Sequence, residues 1–212
     1  MKPDLAKAAL WAGVIAGPLF YLIVIIQAAT REGYDLSVHP ISLLALGSSG
    51  WVQTLNFVVL GLLYCFAALG LALFAKRRVI GSLLFPAGIG FLIAALFPAD
   101  PFLNFPPGTE MSDGGAISNH AKLHGVGFML AFSCIFFAVA SAAIAGWRRG
   151  STGFAAVSLM ACLGIVATLF TGLSRIDLNS ESFFLLGLIA FGWISAFSWS
   201  RMQGSWSVTR VP

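Results

Sequence analysis

Six apolar stretches, each about 20 residues long, run through this 212-residue chain. A stretch of that length crosses the hydrocarbon core of a bilayer as an α-helix and is far too long for one strand. The runs predict spans near Ala8–Thr30, Trp51–Ala75, Val79–Phe97, His120–Ala145, Thr152–Leu173 and Ser182–Met202. With 58% hydrophobic and 9% charged residues, the chain has too little polar surface to cover a soluble domain. The expected architecture is all-α and polytopic: a single six-helix transmembrane domain over residues 1–212, with no room for a soluble domain. Lys2 and Lys7 ahead of the first run imitate a signal peptide. That run is longer than a signal core and no cleavage site follows, so it reads as a retained span with a kink at Pro18.

Charge orients the bundle. Lys2, Lys7, Lys76, Arg77, Arg78, Arg148, Arg149, Arg201 and Arg210 fall at the two ends of the chain and in the even connections. Basic residues near span ends stay cytoplasmic, which places both termini inside; the expected location is the cell (inner) membrane. The net charge of +4 then reflects contact with anionic membrane lipids. No basic aromatic stripe suggests nucleic acid as a partner. Cys65, Cys134 and Cys162 sit inside spans with no short spacing, as buried free thiols. Gly13 with Gly17, and Gly164 with Thr168 and Gly172, have the spacing of helix contacts within one bundle rather than of a homodimer.

The inner connections are tight turns, whereas the outer loops 31–50 and 98–119 are long enough to cover the extracytoplasmic mouth. The first contains Ser37 to Leu44, where a capping-type serine before a short apolar run predicts a short interfacial helix. The second carries the stiff turn Phe105-Pro106-Pro107-Gly108-Thr109.

All three histidines and most acidic residues fall at this outer side. His120 and His124, four apart, share one helix face, and such a pair can hold one metal ion. Gly127 and Ala131 below them leave room for a ligand, a lipid chain or a neighbouring helix. Asp35, His39 and Ser42 lie in the first outer loop, Asp100 closes the third span, and Arg175 and Asp177 follow the fifth. Gln27, Gln53, Asn56, Thr168 and Thr171 are polar groups in the outer halves of spans, where such groups mark a site or pathway. Plainer roles compete with each of these. The histidines could bond water or lipid phosphates, and Asp100 could cap a helix or pair with Lys122 or Arg175. Trp11, Trp51, Trp147 and Trp193 read as interfacial anchors. No nucleophile elbow, phosphate-binding loop or His-Glu-x-x-His appears, and no span carries a mid-membrane acid, which counts against an ion-coupled pump.

Three segments, SLLALGSSGWVQTLNFVVLG (Ser42 to Gly61), FPADPFLNFPPG (Phe97 to Gly108) and SNHAKLHGVGFMLAF (Ser118 to Phe132), carry a resemblance over most of the length. The chain resembles the bacterial six-helix membrane proteins of the domain-of-unknown-function 998 family. Their pattern is Asp-Pro, then Phe-Pro-Pro-Gly, then two histidines four apart; Ala121 stands where a glycine often follows the first histidine. The resemblance implies an outer loop working with the fourth span and no particular activity. A weaker analogy is to the alkaline ceramidases, in which histidines, an aspartate and a serine surround zinc.

The expected function is an outward-facing pocket for a lipid or small amphipathic ligand, in a receptor, carrier or accessory role. Its lining would come from His39, Gln53, Asn56, Asp100, His120, His124, Arg175 and Asp177. The alternative is a metal-dependent membrane hydrolase acting on a lipid or amide. There His120, His124 and His39 would hold zinc, and Asp100 or Ser42 would carry catalysis. A haem held between His124 and His39, for electron transfer, is a third reading.

Overall fold

The computed structural model describes residues 3–109, 117–174 and 180–203. Six helices form in chain order: α1 (Pro3–Thr30), α2 (Gly50–Leu69), α3 (Arg78–Leu96), α4 (Asn119–Arg148), α5 (Thr152–Ser174) and α6 (Ser180–Gln203). Each is long and apolar enough to cross a membrane. In lipid a backbone must satisfy its own hydrogen bonds, so an apolar run of this length becomes a helix. Side chains such as Leu22, Ile25 and Ile26 of α1 and Met160, Leu163 and Phe170 of α5 face outward. An apolar exterior on this scale is stable against lipid and not against water. The chain is an integral, multi-pass membrane protein.

Helix boundaries follow the apolar runs closely. α1 begins earlier than expected, at Pro3 with Asp4 in its first turn, and runs continuously through Pro18. α2 continues as a π-helical turn over Gly70–Phe74. There a Cβ on Gly70 would come within 2.8 Å of Ala9 Cβ, so the glycine lets α1 and the end of α2 meet.

Each helix packs against its neighbours in sequence, and α6 returns to α1, which closes a ring. Gly13 and Gly17 supply the contact on α1. A Cβ at Gly17 would lie 2.8 Å from Phe191 Cβ, and one at Gly13 would lie 3.2 Å from Ala67 Cβ. Gly164 faces Ile189 of α6 in the same way. A cluster of aromatic side chains, set among buried aliphatic ones, fills the middle of the ring. Phe191 packs on Phe20, Tyr64, Phe91 and Phe132 at centroid separations of 5.4 to 5.9 Å. One tryptophan departs from its expected role. Trp193 is only 7% exposed, stacks on Phe197 and donates its indole N–H to Ser158 Oγ at 3.2 Å, so it belongs to the interior. Trp51 and Trp147 are exposed, as anchors should be.

Short turns join helices at the end of the bundle that carries Arg77, Arg78, Arg148 and Arg149. The opposite end carries the long loop between α1 and α2 and the described part of the loop between α3 and α4. It is called the capped end below.

Candidate functional site

At the capped end the two loops lock together around His39. Its Nδ1 accepts the backbone N–H of Asp35 at 2.8 Å, which puts the ring proton on Nε2. Nε2 then donates to the Leu103 carbonyl at 3.0 Å, 64 residues away. Leu103 and Asn104 both have positive φ, at 56° and 61°, in a tight turn closed by Phe102 and Phe105. Both central residues of that turn type must be left-handed, which suits asparagine and strains leucine. Tyr34 donates its hydroxyl to the His39 carbonyl at 2.8 Å, and its ring meets the fully buried Phe105 edge-on. Arg31 lies over the same Phe105 ring and donates to the carbonyls of Leu44 and Leu46. Burial lowers the pKa of this guanidinium. The result is a plug made of hydrogen bonds and rings.

The first loop contains a short 3-10 helix over Ile41–Ala45, inside the region expected to form one. Ser37 does not cap it. Its N–H and hydroxyl both bond Asp35 Oδ1, at 2.8 and 2.6 Å, and Pro40 precedes the helix. Those bonds hold the Asp35 carboxyl below the usual carboxylate range.

Of the roles its sequence context allowed, Asp100 takes a helix-capping one. Among the described residues neither Lys122 nor another cation bonds it; both its oxygens accept from Ser118, from the hydroxyl at 2.5 Å and from the N–H at 2.9 Å. Ser118 Oγ in turn accepts the N–H of Ala121, which makes Ser118 the N-cap of α4. Asp100 therefore fixes the start of the helix that carries His120 and His124. The Ser118 hydroxyl first, then its N–H and the nearby His120, hold the Asp100 carboxyl below its ordinary range. Because the folded pKa lies below the unfolded value of about 3.9, the carboxylate stabilises the fold above about pH 4 and progressively less below it. Asp100→Asn is expected to lower stability by up to about 1 kcal/mol at neutral pH and to remove this acid-dependent part. Thermal unfolding of both proteins from pH 7 to pH 3 checks it; parallel pH curves would refute the assignment.

His124 stands between the α3 terminus and a cavity. Its Nδ1 lies 2.9 Å from the Phe97 carbonyl and 3.2 Å from the Ala94 carbonyl. These belong to the last turn of α3, where carbonyls lose their helical partners, so the ring caps α3. It also borders a cavity of about 340 Å³. The cavity is walled mainly by Phe57, Phe91, Phe128, Phe132, Phe183 and Phe191, and roofed by Pro40, Ile41 and Ser42 of the plug. It lies between α4 and α6, which touch each other little. Met129 lines it and is also 51% exposed, so the cavity is open at that residue. Of the residues read from the sequence as site candidates, His124 and Ser42 border it.

Of the three occupants the small residues allowed beneath the histidines, the structure has a neighbouring helix. Gly127 and Ala131 pack against Gly90 of α3; a Cβ on Gly127 would lie 2.6 Å from the Gly90 carbonyl oxygen. The neighbouring helix takes that space. Gly125 instead lines the cavity, and a Cβ there would meet nothing within 4 Å.

The intramembrane polar residues bond to one another and to backbone. Gln27 Nε2 donates to Gln53 Oε1 at 2.8 Å, and Asn56 Nδ2 donates to the same oxygen and to the Phe20 carbonyl. This buried network joins α1 to α2 behind Phe20 and Phe57, which wall the cavity. Thr168 bonds carbonyls of its own helix, and Thr171 also donates to Ser182 Oγ.

The three histidines stay apart. Both nitrogens of His39 are committed within the plug, so neither can coordinate zinc or haem in this arrangement. His120 is exposed, with its ring against Phe97. Among the described residues no three His, Cys, Asp or Glu side chains come together as a metal-ligand group. The three cysteines are free thiols. Arg175, Asp177, Glu110 and Asp113 lie outside the described residues.

Neither the curated proteins nor the solved structures contain a match to this chain. A family model does match, over residues 14–200. The match spans α2 to α5 in full, nearly all of α6, and α1 from Val14 onward, taking in the plug, the α4 cap and the described walls of the cavity. The chain belongs to the DUF998 family, described as proteins of unknown function.

Proposed function

We propose that this protein binds a lipid or small amphipathic molecule in the cavity between α4 and α6. Gly125 carries the reading. A glycine inside a helix costs about 1 kcal/mol relative to alanine, and glycines in bundles usually repay that cost by close packing. Gly125 has nothing near it to pack against, yet it forms part of the cavity wall. The open side at Met129 suits entry from the bilayer, and the volume falls in the small-molecule range. The basic residues at the far end support a reading in which the cavity lies in the extracytoplasmic half of the cell membrane. Of the basic residues at the capped end, Arg31 is folded back onto carbonyls and Phe105, while Lys122 is exposed in the first turn of α4. The plug then serves as a fixed roof, in a receptor, carrier or accessory protein.

A thermal-shift panel of fatty alcohols, fatty acids and prenyl lipids on the detergent-solubilised full chain tests this. A lipid present at 100 times its dissociation constant stabilises by about 2.7 kcal/mol, a shift of several degrees. Gly125→Phe fills the cavity and should abolish that response. Gly125→Ala should keep it and raise the unligated midpoint slightly. An equal response in the Gly125→Phe protein would refute the site.

A further inference from the structure

Resting on the reading of the cavity as a lipid site, we propose that its ligand is an uncharged lipid carrying a hydroxyl group, an alcohol or phenol, which donates its O–H to His124 Nε2. The other ring nitrogen fixes what Nε2 can do. Nδ1 faces two carbonyl oxygens, at 2.9 and 3.2 Å, and a carbonyl can only accept. The ring proton therefore sits on Nδ1, and Nε2 presents a lone pair. None of the hydrogen bonds His124 makes uses Nε2. The one imidazole on the cavity wall thus offers an acceptor and asks for a donor.

Charge narrows the class further. Among the described residues no lysine, arginine, aspartate or glutamate lines the cavity. A carboxylate or phosphate would lose its hydration without a countercharge and would face the Nε2 lone pair. An ammonium would equally lack a carboxylate. A neutral hydroxyl satisfies Nε2 at little desolvation cost. The other polar groups on the wall fit the same guest. Tyr21 already donates its hydroxyl to the Phe184 carbonyl at 2.6 Å, so towards a ligand it can only accept, while Ser42 can do either. The aromatic walls take a flat or branched apolar body, and the opening at Met129 lets a longer tail run into the bilayer.

Three probes sharing one tail separate the alternatives: farnesol, its methyl ether and farnesyl phosphate, each titrated against the full chain in nanodiscs. The ether keeps the oxygen and loses the donor. Farnesol should bind about five- to tenfold more tightly than the ether, the worth of one buried hydrogen bond, and the phosphate more weakly than the alcohol. In His124→Phe the preference for alcohol over ether should disappear. Should that variant fail to fold because α3 loses its cap, nitrogen-15 histidine spectra of the wild type give the second measurement. Farnesol should move the Nε2 resonance and leave Nδ1 protonated, whereas the ether should leave both in place. Equal binding of alcohol and ether, or tighter binding of the phosphate, would overturn the hydroxyl proposal while leaving a lipid site. Binding of none of the three would overturn the proposal, and a blank lipid panel beside it would remove the lipid site as well.

Discussion

Phe191→Ala is expected to lower the stability of the bundle by about 3 kcal/mol, with a fall in unfolding midpoint on the order of 10 °C. The ring is 2% exposed and sits where four other helices converge, against Phe20, Tyr64, Phe91 and Phe132. Helices already in a bilayer gain little from hiding apolar surface from water, so packing contacts of this kind hold them together. Removing the ring deletes five aromatic contacts at once, the fifth with Tyr21, and enlarges the cavity it helps to wall. Phe170→Ala provides the control, because Phe170 is 71% exposed on the lipid face of α5. Thermal unfolding in one detergent should separate the two variants clearly. If both shift equally, the aromatic centre is not what holds the ring of helices closed. Addition of a bulkier lipid than the wild type accepts should recover part of the loss in Phe191→Ala, since the new space adjoins the cavity.

The spans were legible because the physics leaves little choice: a run of about 20 apolar residues in lipid has only the helix available. The loops were legible only as long and as carrying histidines. What those histidines do depends on partners distant in sequence. The bond from His39 to Leu103 crosses 64 residues and requires a left-handed leucine that no pattern announces. Asp100 illustrates a partial reading. A capping role was one expectation, but the capped helix is α4 through Ser118 rather than the α3 end at which Asp100 sits. A serine two residues ahead of His120 was itself an N-cap signal. Gln27, Gln53 and Asn56 were recognisable as interior by their chemistry, yet only packing decides that they face one another and not the cavity.

Gly125 and Gly127 show why the cavity itself was hidden. Two residues along a helix are about 200° apart, so the two glycines point to nearly opposite sides. One faces open space and the other faces α3, and composition cannot tell them apart.

Their substitutions should therefore behave oppositely. Gly127→Leu is expected to destabilise the protein by about 3 kcal/mol, because the first added carbon would already lie 2.6 Å from the Gly90 carbonyl oxygen and 3.0 Å from Ala94 N. Those neighbours are backbone and cannot rotate away, so α3 and α4 must separate. Gly90→Ala meets the mirror obstacle, the Gly127 carbonyl oxygen at 2.6 Å. Once either substitution has parted the helices, the second should add little, and the Gly90→Ala/Gly127→Ala pair should cost less than the sum of the singles. Separation of the helices also draws His124 away from the Ala94 and Phe97 carbonyls, which frees the ring to exchange its proton position. Thermal unfolding gives the stability loss, and nitrogen-15 histidine spectra report the loosened ring. A Gly127→Leu protein with wild-type stability would show that the two helices do not cross at these glycines. The same result at Gly125 would be expected, since there the added side chain has room.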